Sequence, residues 1–238
     1  SGVVGEVVGY ARSEKTRETA RRIGLCDRVY DNASEAVETA DLVVLCVPVG
    51  IMGDVVAEIA PSLKPGATLS DVGSVKRAVI DAVMPHVPDG VEFVPAHPLA
   101  GTEHSGPESG FASLFDNRWC LIVPSENSSK EAVDALHRLW LAMGSNVDFM
   151  DADYHDRVLA VTSHTPHLIA YTMVGVADDL GLVQRPSLRK CCYGFGADNN
   201  PGIFPFLLAS DVYDHDAGGL ISNQFFWRYV LSQSWKGQ

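Results

Sequence analysis

The densest run of proton-handling and hydrogen-bonding groups in the chain is Pro95-Ala96-His97-Pro98-Leu99-Ala100-Gly101-Thr102-Glu103-His104-Ser105-Gly106. It follows an apolar stretch at 91–94 that reads as a strand, so the run is expected as a loop leaving the sheet at a strand's carboxyl end. Its prolines and glycines fix backbone rather than fill a core, and an imidazole directly after a strand suits a general base near neutral pH. A solvated loop with an incidental histidine is the plainer reading, but the crevice position favours function for His97.

Three other places attract the same question. After a strand at 42–47 come Pro48-Val49-Gly50, where proline and glycine let backbone approach a flat ligand; Val47 and Pro48 are candidate cofactor contacts, although an ordinary turn explains them too. After a strand at 67–72 come Gly73-Ser74-Val75-Lys76, in which Ser74 either caps the next helix, the commoner role, or turns its hydroxyl to the crevice. Farther on, Thr162-Ser163-His164-Thr165-Pro166-His167 sets two imidazoles three residues apart on one helical face and predicts a kink at Pro166. A lined cavity and two imidazoles satisfied by backbone carbonyls fit that spacing equally. Histidines 97, 104, 155, 164 and 167 invite a metal reading, but HxxH lacks the HExxH arrangement and no CxxC pair is present, so no metal site is expected.

The elements that must position these groups alternate. Strands are expected at 6–11, 42–47, 67–72, 91–94, 119–123 and 146–150, with helices at 13–23 (opened by a Ser13 cap), 33–39, 51–60, 75–84 and 130–143. Such alternation predicts an α/β fold with a Rossmann-like, doubly wound, mostly parallel sheet. Between 151 and 180 only Pro166 and Gly175 interrupt a helical pattern, which reads as a long helix leading into a partial helical second domain. The boundary is accordingly set at 150/151. Residues 181–238 differ again, holding ten of the chain's 20 aromatic residues and no glutamate, with turn-rich segments between them.

Composition narrows the classes. The 238 residues are 46% hydrophobic and 20% charged, enough for an ordinary core plus part of a second. Eighteen Lys+Arg against 30 Asp+Glu give a net charge of -12, which repels polyanions and argues against nucleic acid as a partner. No stretch approaches the roughly 20 apolar residues of a membrane span, and the first residues lack the order of a signal peptide. The five cysteines (Cys26, Cys46, Cys120, Cys191, Cys192) are odd in number and scattered, which suits reduced thiols. A soluble, cytoplasmic protein is expected.

Taken together, Val47-Pro48-Val49, Asp71-Val72-Gly73-Ser74-Val75-Lys76, the run from His97 to Gly106 and Ser163-His164-Thr165-Pro166-His167 resemble the prephenate/arogenate (cyclohexadienyl) dehydrogenase family of tyrosine biosynthesis, from about Gly5 to Leu180. The resemblance implies NAD(P)-dependent oxidative decarboxylation of prephenate or arogenate, giving 4-hydroxyphenylpyruvate or tyrosine. It implies that His97 takes the ring hydroxyl's proton as hydride departs, and that Ser74 holds that hydroxyl or orients the imidazole. His167 would bond substrate from the helical domain, and Thr102 with Glu103 would line the pocket near its side chain. Residues 1–150 would bind the cofactor and 151–238 would form part of a substrate and dimerisation domain, with a homodimer expected if that domain is complete.

Two departures from the family pattern stand out. Ser1-Gly2-Val3-Val4-Gly5 leads directly into what should be the family's second strand, so the first strand and its glycine-rich turn are expected to be missing; residues after about Leu180 do not align, Arg185 and Arg189 being weak candidates for the family's carboxylate-binding arginine. An incomplete or frame-altered gene product is one expectation that follows. Cofactor choice rests on the end of the strand at 6–11, where Ala11 stands in place of a ribose-binding carboxylate and Arg12, Ser13, Lys15 and Arg17 offer charge and donors, a slight lean to NADP. The alternatives are an inactive remnant that binds subunits or ligand, and a different beta-hydroxyacid-type dehydrogenase, which would need a helix-borne lysine absent from 151–180.

Overall fold

The computed structural model describes residues 4–101, 106–126 and 128–179, together with two-residue strands at 213–214, 219–220 and 230–231. The chain groups into two units, one of Ser1–Asp156 with Gln224–Gln238, the other of Arg157–Asn223.

The first unit opens with β1 (Val8–Gly9), α1 (Glu14–Ile23) and β2 (Arg28–Val29), and β2 pairs parallel with β1. α1 stops at Gly24, whose φ of 66° lets its N–H return to the carbonyls of Ala20 and Arg21, a conformation that a Cβ disfavours. α2 (Ala33–Val37) starts at Asn32, whose side chain accepts from the N–H groups of Ser34 and Glu35. β3 (Leu42–Leu45), β4 (Thr68–Asp71) and β5 (Glu92–Phe93) then form a parallel sheet, linked by α3 (Met52–Ile59) and α4 (Arg77–Val83).

All four residues of β3 are buried, as befits a strand covered on both faces. Alternation sorts them: Val43 and Leu45 pack with Met52, Val56, Ile59, Leu69 and Val79, while Leu42 and Val44 pack with Val94, Ile122, Leu136 and Trp140. The second of these cores lies under a three-stranded sheet of β6 (Ala96–Pro98), β7 (Trp119–Ile122) and β8 (Asn146–Phe149). α5 (Lys130–Ala142), capped by Ser129, joins β7 to its parallel neighbour β8.

Residues 96–98 correct the expectation of a continuous loop from 95 to 106. They run antiparallel to β7, with His97 opposite Leu121, and the N–H of Leu99 continues the ladder to the carbonyl of Trp119 at 2.7 Å. Pairing gives the backbone groups of this buried segment partners that a loop would have to find in water. Proline takes the strand's last position, where its missing N–H interrupts least. Two further pairs come from the distal residues: β9 (Tyr213–Asp214) with β10 (Gly219–Leu220), and β11 (Val230–Leu231) with β3, both antiparallel. The architecture is α/β and Rossmann-like, its sheets mostly parallel.

In the expected long helix, α6 (Ala152–Leu159) is followed by a π-helical turn at Ala160–His164 and then α7 (Thr165–Asp179). The disturbance expected at Pro166 thus lies in the turn before it. Proline has no N–H to give to the preceding turn, and the N–H of Thr165 reaches back five residues to Ala160. Among the described residues no helix is long and apolar enough to cross a membrane.

Candidate active site

β4 ends on Asp71, which together with Lys76 is completely buried. The Lys76 ammonium donates to Asp71 Oδ2 at 2.5 Å and to the carbonyl of Ala96 at 2.7 Å. The N–H of Gly73 donates to the same carboxylate oxygen at 2.7 Å, and that of Ala96 to Asp71 Oδ1 at 3.3 Å. This group of bonds ties the carboxyl end of β4 to β6 one residue before His97. Glycine is required at 73 by packing: a Cβ there would stand 2.9 Å from Asp71 Oδ2 and 3.2 Å from both Val49 and Val79. Burial pushes the Asp71 carboxyl up and the Lys76 ammonium down, and the attraction between them opposes both shifts.

His97 is 8% exposed, its Nδ1 3.0 Å from Nε2 of the fully buried His155, with the two rings edge to face. His155 Nδ1 lies in turn 2.8 Å from Asp156 Oδ1. Asp156 also receives the first N–H groups of α4, Lys76 on Oδ1 at 2.7 Å and Arg77 on Oδ2 at 2.9 Å. The plainer alternative for Ser74, a cap on the next helix, is not realised: α4 begins at Arg77, with Lys76 at its N-cap position, and the acceptor is Asp156 in the middle of α6. Burial lowers the basicity of the His155 ring more than its bond to Asp156 raises it. For Asp156, partial burial pushes upward but is outweighed by the N–H groups of Lys76 and Arg77 and by the His155 ring, so its carboxyl titrates below the usual range.

The remaining candidates are distributed differently. Val47 and Pro48 follow β3 half-buried, with the Pro48 carbonyl accepting from Ile51 N–H at 3.0 Å in a 3-10 turn. Ser13 holds the N-cap position of α1 by its backbone, without a side-chain cap, and Arg12 beside it is exposed. Arg17, counted among the charges that would meet a 2'-phosphate, is instead 9% exposed and directed inward, donating to the carbonyls of Ala11 at 2.8 Å and Arg12 at 3.0 Å and to Asp31 at 3.0 Å. It braces the turn between β1 and α1. His167 lies on α7 in the second unit. Thr102 and Glu103 lie outside the described residues. No group of three or more His, Cys, Asp or Glu suited to a metal occurs among the described residues.

Sequence reasoning gave Asp71, Lys76 and Asp156 no role and named His155 only as a conceivable metal ligand. Two signals were readable: a carboxylate closing a strand with a lysine five residues on, and the adjacent His155-Asp156 pair within a helix.

Comparison with known proteins gives the following likenesses. A cyclohexadienyl dehydrogenase of Zymomonas mobilis is 44% identical over 185 residues, covering 78% of this chain and 63% of the relative. The prephenate dehydrogenase of Aquifex aeolicus, solved in complex with hydroxyphenyl propionate and NAD+, superposes with a TM-score of 0.69 at 27% identity, covering 75% of this chain and 62% of that one. The arogenate dehydrogenase of Synechocystis superposes with a TM-score of 0.64 at 25% identity, covering 81% of this chain and 71% of its own. The chain spans less than two thirds of the length of the curated relatives it matches, 63% of the Zymomonas protein and 46% of a prephenate dehydrogenase of Bacillus subtilis. The match to the family model described as prephenate dehydrogenase, nucleotide-binding domain, covers residues 1–149, and the chain belongs to that family.

Proposed function

We propose that this protein oxidatively decarboxylates prephenate, arogenate or both with NAD(P), the step that forms the aromatic ring in tyrosine synthesis. The observation that carries the reading is the His97 imidazole, held by His155 beside the carboxyl end of β4. That is where an open α/β sheet meets its ligands.

The residues present suit part of a dinucleotide. Arg12, exposed just after the buried Ala11, would meet an adenosine ribose or its 2'-phosphate, and the half-buried Val47 and Pro48 after β3 would lie beside the cofactor. No glycine-rich turn stands among the described residues, so the pyrophosphate contact is assigned to none of them. When bound, the nicotinamide supplies the hydride acceptor. His97 takes the proton of the substrate's ring hydroxyl, and Ser74, on the segment that leaves β4, holds that hydroxyl or steadies the ring. His167, Thr102 and Glu103 contact the rest of the substrate. Residues 1–150 serve the cofactor and 151–238 the substrate and a second copy of the chain.

The decisive experiment mixes the protein with prephenate or arogenate and NAD+ or NADP+ and follows nicotinamide absorbance. Reduction that requires one of the two substrates and disappears in His97→Asn, with cofactor affinity retained, is the expected result. A folded protein that reduces neither cofactor with either substrate overturns the proposal. With Arg17 turned inward, the lean to NADP rests on Arg12, Ser13 and Lys15, and tighter binding of NAD+ would reverse it. A homodimer is proposed from α7, where Leu168, Ile169 and Met173 are exposed and a second copy would cover them; sedimentation at the monomer mass would remove it. A cytoplasmic location goes with the unbridged thiols of Cys26 and Cys120 and is checked by cell fractionation.

A further inference from the structure

Two neutral imidazoles 3.0 Å apart must share one proton between the facing nitrogens, and either ring can be the donor. The choice matters, because a histidine that carries its proton on Nδ1 keeps the Nε2 lone pair for substrate, whereas the other tautomer does not. The far end of the chain makes the choice here. Asp156 Oδ1 faces the N–H of Lys76 at 2.7 Å and Oδ2 faces the N–H of Arg77 at 2.9 Å, and backbone N–H groups only donate. The carboxylate is therefore held as an acceptor on both oxygens. His155 Nδ1, 2.8 Å from Oδ1, must bring a proton to that contact. A neutral His155 then has only a lone pair on Nε2, so the proton in the contact with His97 belongs to His97 Nδ1. Direction propagates from the first turn of α4 to the ring two links away.

We propose that His155, fixed by Asp156, is the positioning residue that sets the tautomer of His97, holding its proton on Nδ1 and leaving Nε2 as the ring's basic nitrogen. The inference rests on the reading of His97 as the base and adds the element that makes it one. Burial, which disfavours a charged His155, keeps that ring in the neutral state the relay needs. Asp71 and Lys76 also face His155, so the ring lies among paired charges rather than beside one unbalanced charge.

The test reads the tautomer directly. In the full chain labelled with 15N-histidine, long-range 1H–15N correlation at neutral pH should give pyrrole-type Nδ1 and pyridine-type Nε2 for both rings, assigned by loss of signals in His97→Asn and His155→Gln. His155→Phe removes the acceptor; His97 should then shift towards the Nε2–H form that free imidazole side chains prefer, and kcat should fall by at least about tenfold with cofactor Kd unchanged. His155→Gln, whose amide oxygen still accepts, should keep the His97 Nδ1–H signal. A wild-type His97 protonated on Nε2, or a His97 pattern unchanged in a folded His155→Phe variant, overturns the inference. The wild-type spectrum needs variants only to assign its signals and does not depend on turnover. The expected tautomer without cofactor reduction would therefore refute the proposed reaction and leave this assignment standing, while turnover with the opposite tautomer would do the reverse.

Discussion

Lys76→Met keeps the bulk of a completely buried side chain and removes its charge. The ammonium lost is the donor to Asp71 at 2.5 Å and to the Ala96 carbonyl at 2.7 Å. Both bonds have an ionised donor, and each such bond contributes about 1.5–3 kcal/mol. Their sum agrees with the roughly 3–5 kcal/mol measured when one member of a buried ion pair is removed. For a chain of this size a loss of about 4 kcal/mol lowers Tm by roughly 8–16 °C.

Adding Asp71→Asn removes the orphaned charge while the amide oxygen still accepts from Gly73 N–H, so the double variant should recover about 1–3 kcal/mol. Urea unfolding followed by circular dichroism measures all four members of the cycle. The single variant should also have a pH signature. With its cation gone, Asp71 keeps a carboxyl raised by burial, so the unfolded chain ionises first and stability falls as pH rises above about 4, the ordinary aspartate value. A loss below about 1 kcal/mol in Lys76→Met, or a double variant no more stable than the single one, would refute the reasoning.

Other outcomes follow from the same geometry. Gly73→Ala should lose about 1–3 kcal/mol in urea unfolding, because its Cβ would meet Asp71 Oδ2 at 2.9 Å. His155 has a folded pKa lowered mainly by burial, so the unfolded chain takes up the proton first. Stability should therefore decline as pH drops below the ordinary value of 6.5, and His155→Gln should flatten that part of a Tm-against-pH curve. The groups facing it, His97, Asp156, Lys76 and Asp71, stay in place in that variant. Asp31, whose carboxyl the Arg21 bond and then Arg17 hold below its ordinary 3.8, gives stability that is present above that value and lost as pH falls further; Asp31→Asn should erase this small, salt-sensitive contribution in thermal scans at low and high ionic strength.

The alternation of strands and helices was legible where an unbroken apolar run or helical spacing carries it: residues 42–47 announce β3, and 130–143 announce α5. β2 was not, since two residues with Arg28 exposed carry no pattern at all. β6 escaped for a different reason. Ala96-His97-Pro98 looks like a turn by residue type and becomes a strand only because β7, more than twenty residues later, supplies its partners. Of the site, His97 was visible from its own neighbourhood. His155 and Asp156 were not, because their roles are set across 58 and 80 positions of chain, to His97 and Lys76, distances over which a single sequence has no voice.

The short strand that bears His97 also makes the site depend on parity. Ala96 and Val94 are completely buried in the apolar core, while His97, between Ala96 and Pro98, meets His155. Adjacent residues of an extended chain look opposite ways, so adding or deleting a single residue between Phe93 and His97 would deliver the imidazole into the oily interior and present an alanine or proline to His155. A two-residue change would restore the sense of the ring but carry Ala96 away from Asp71. Length in this connection is thus fixed twice over, once as odd or even and once as a distance.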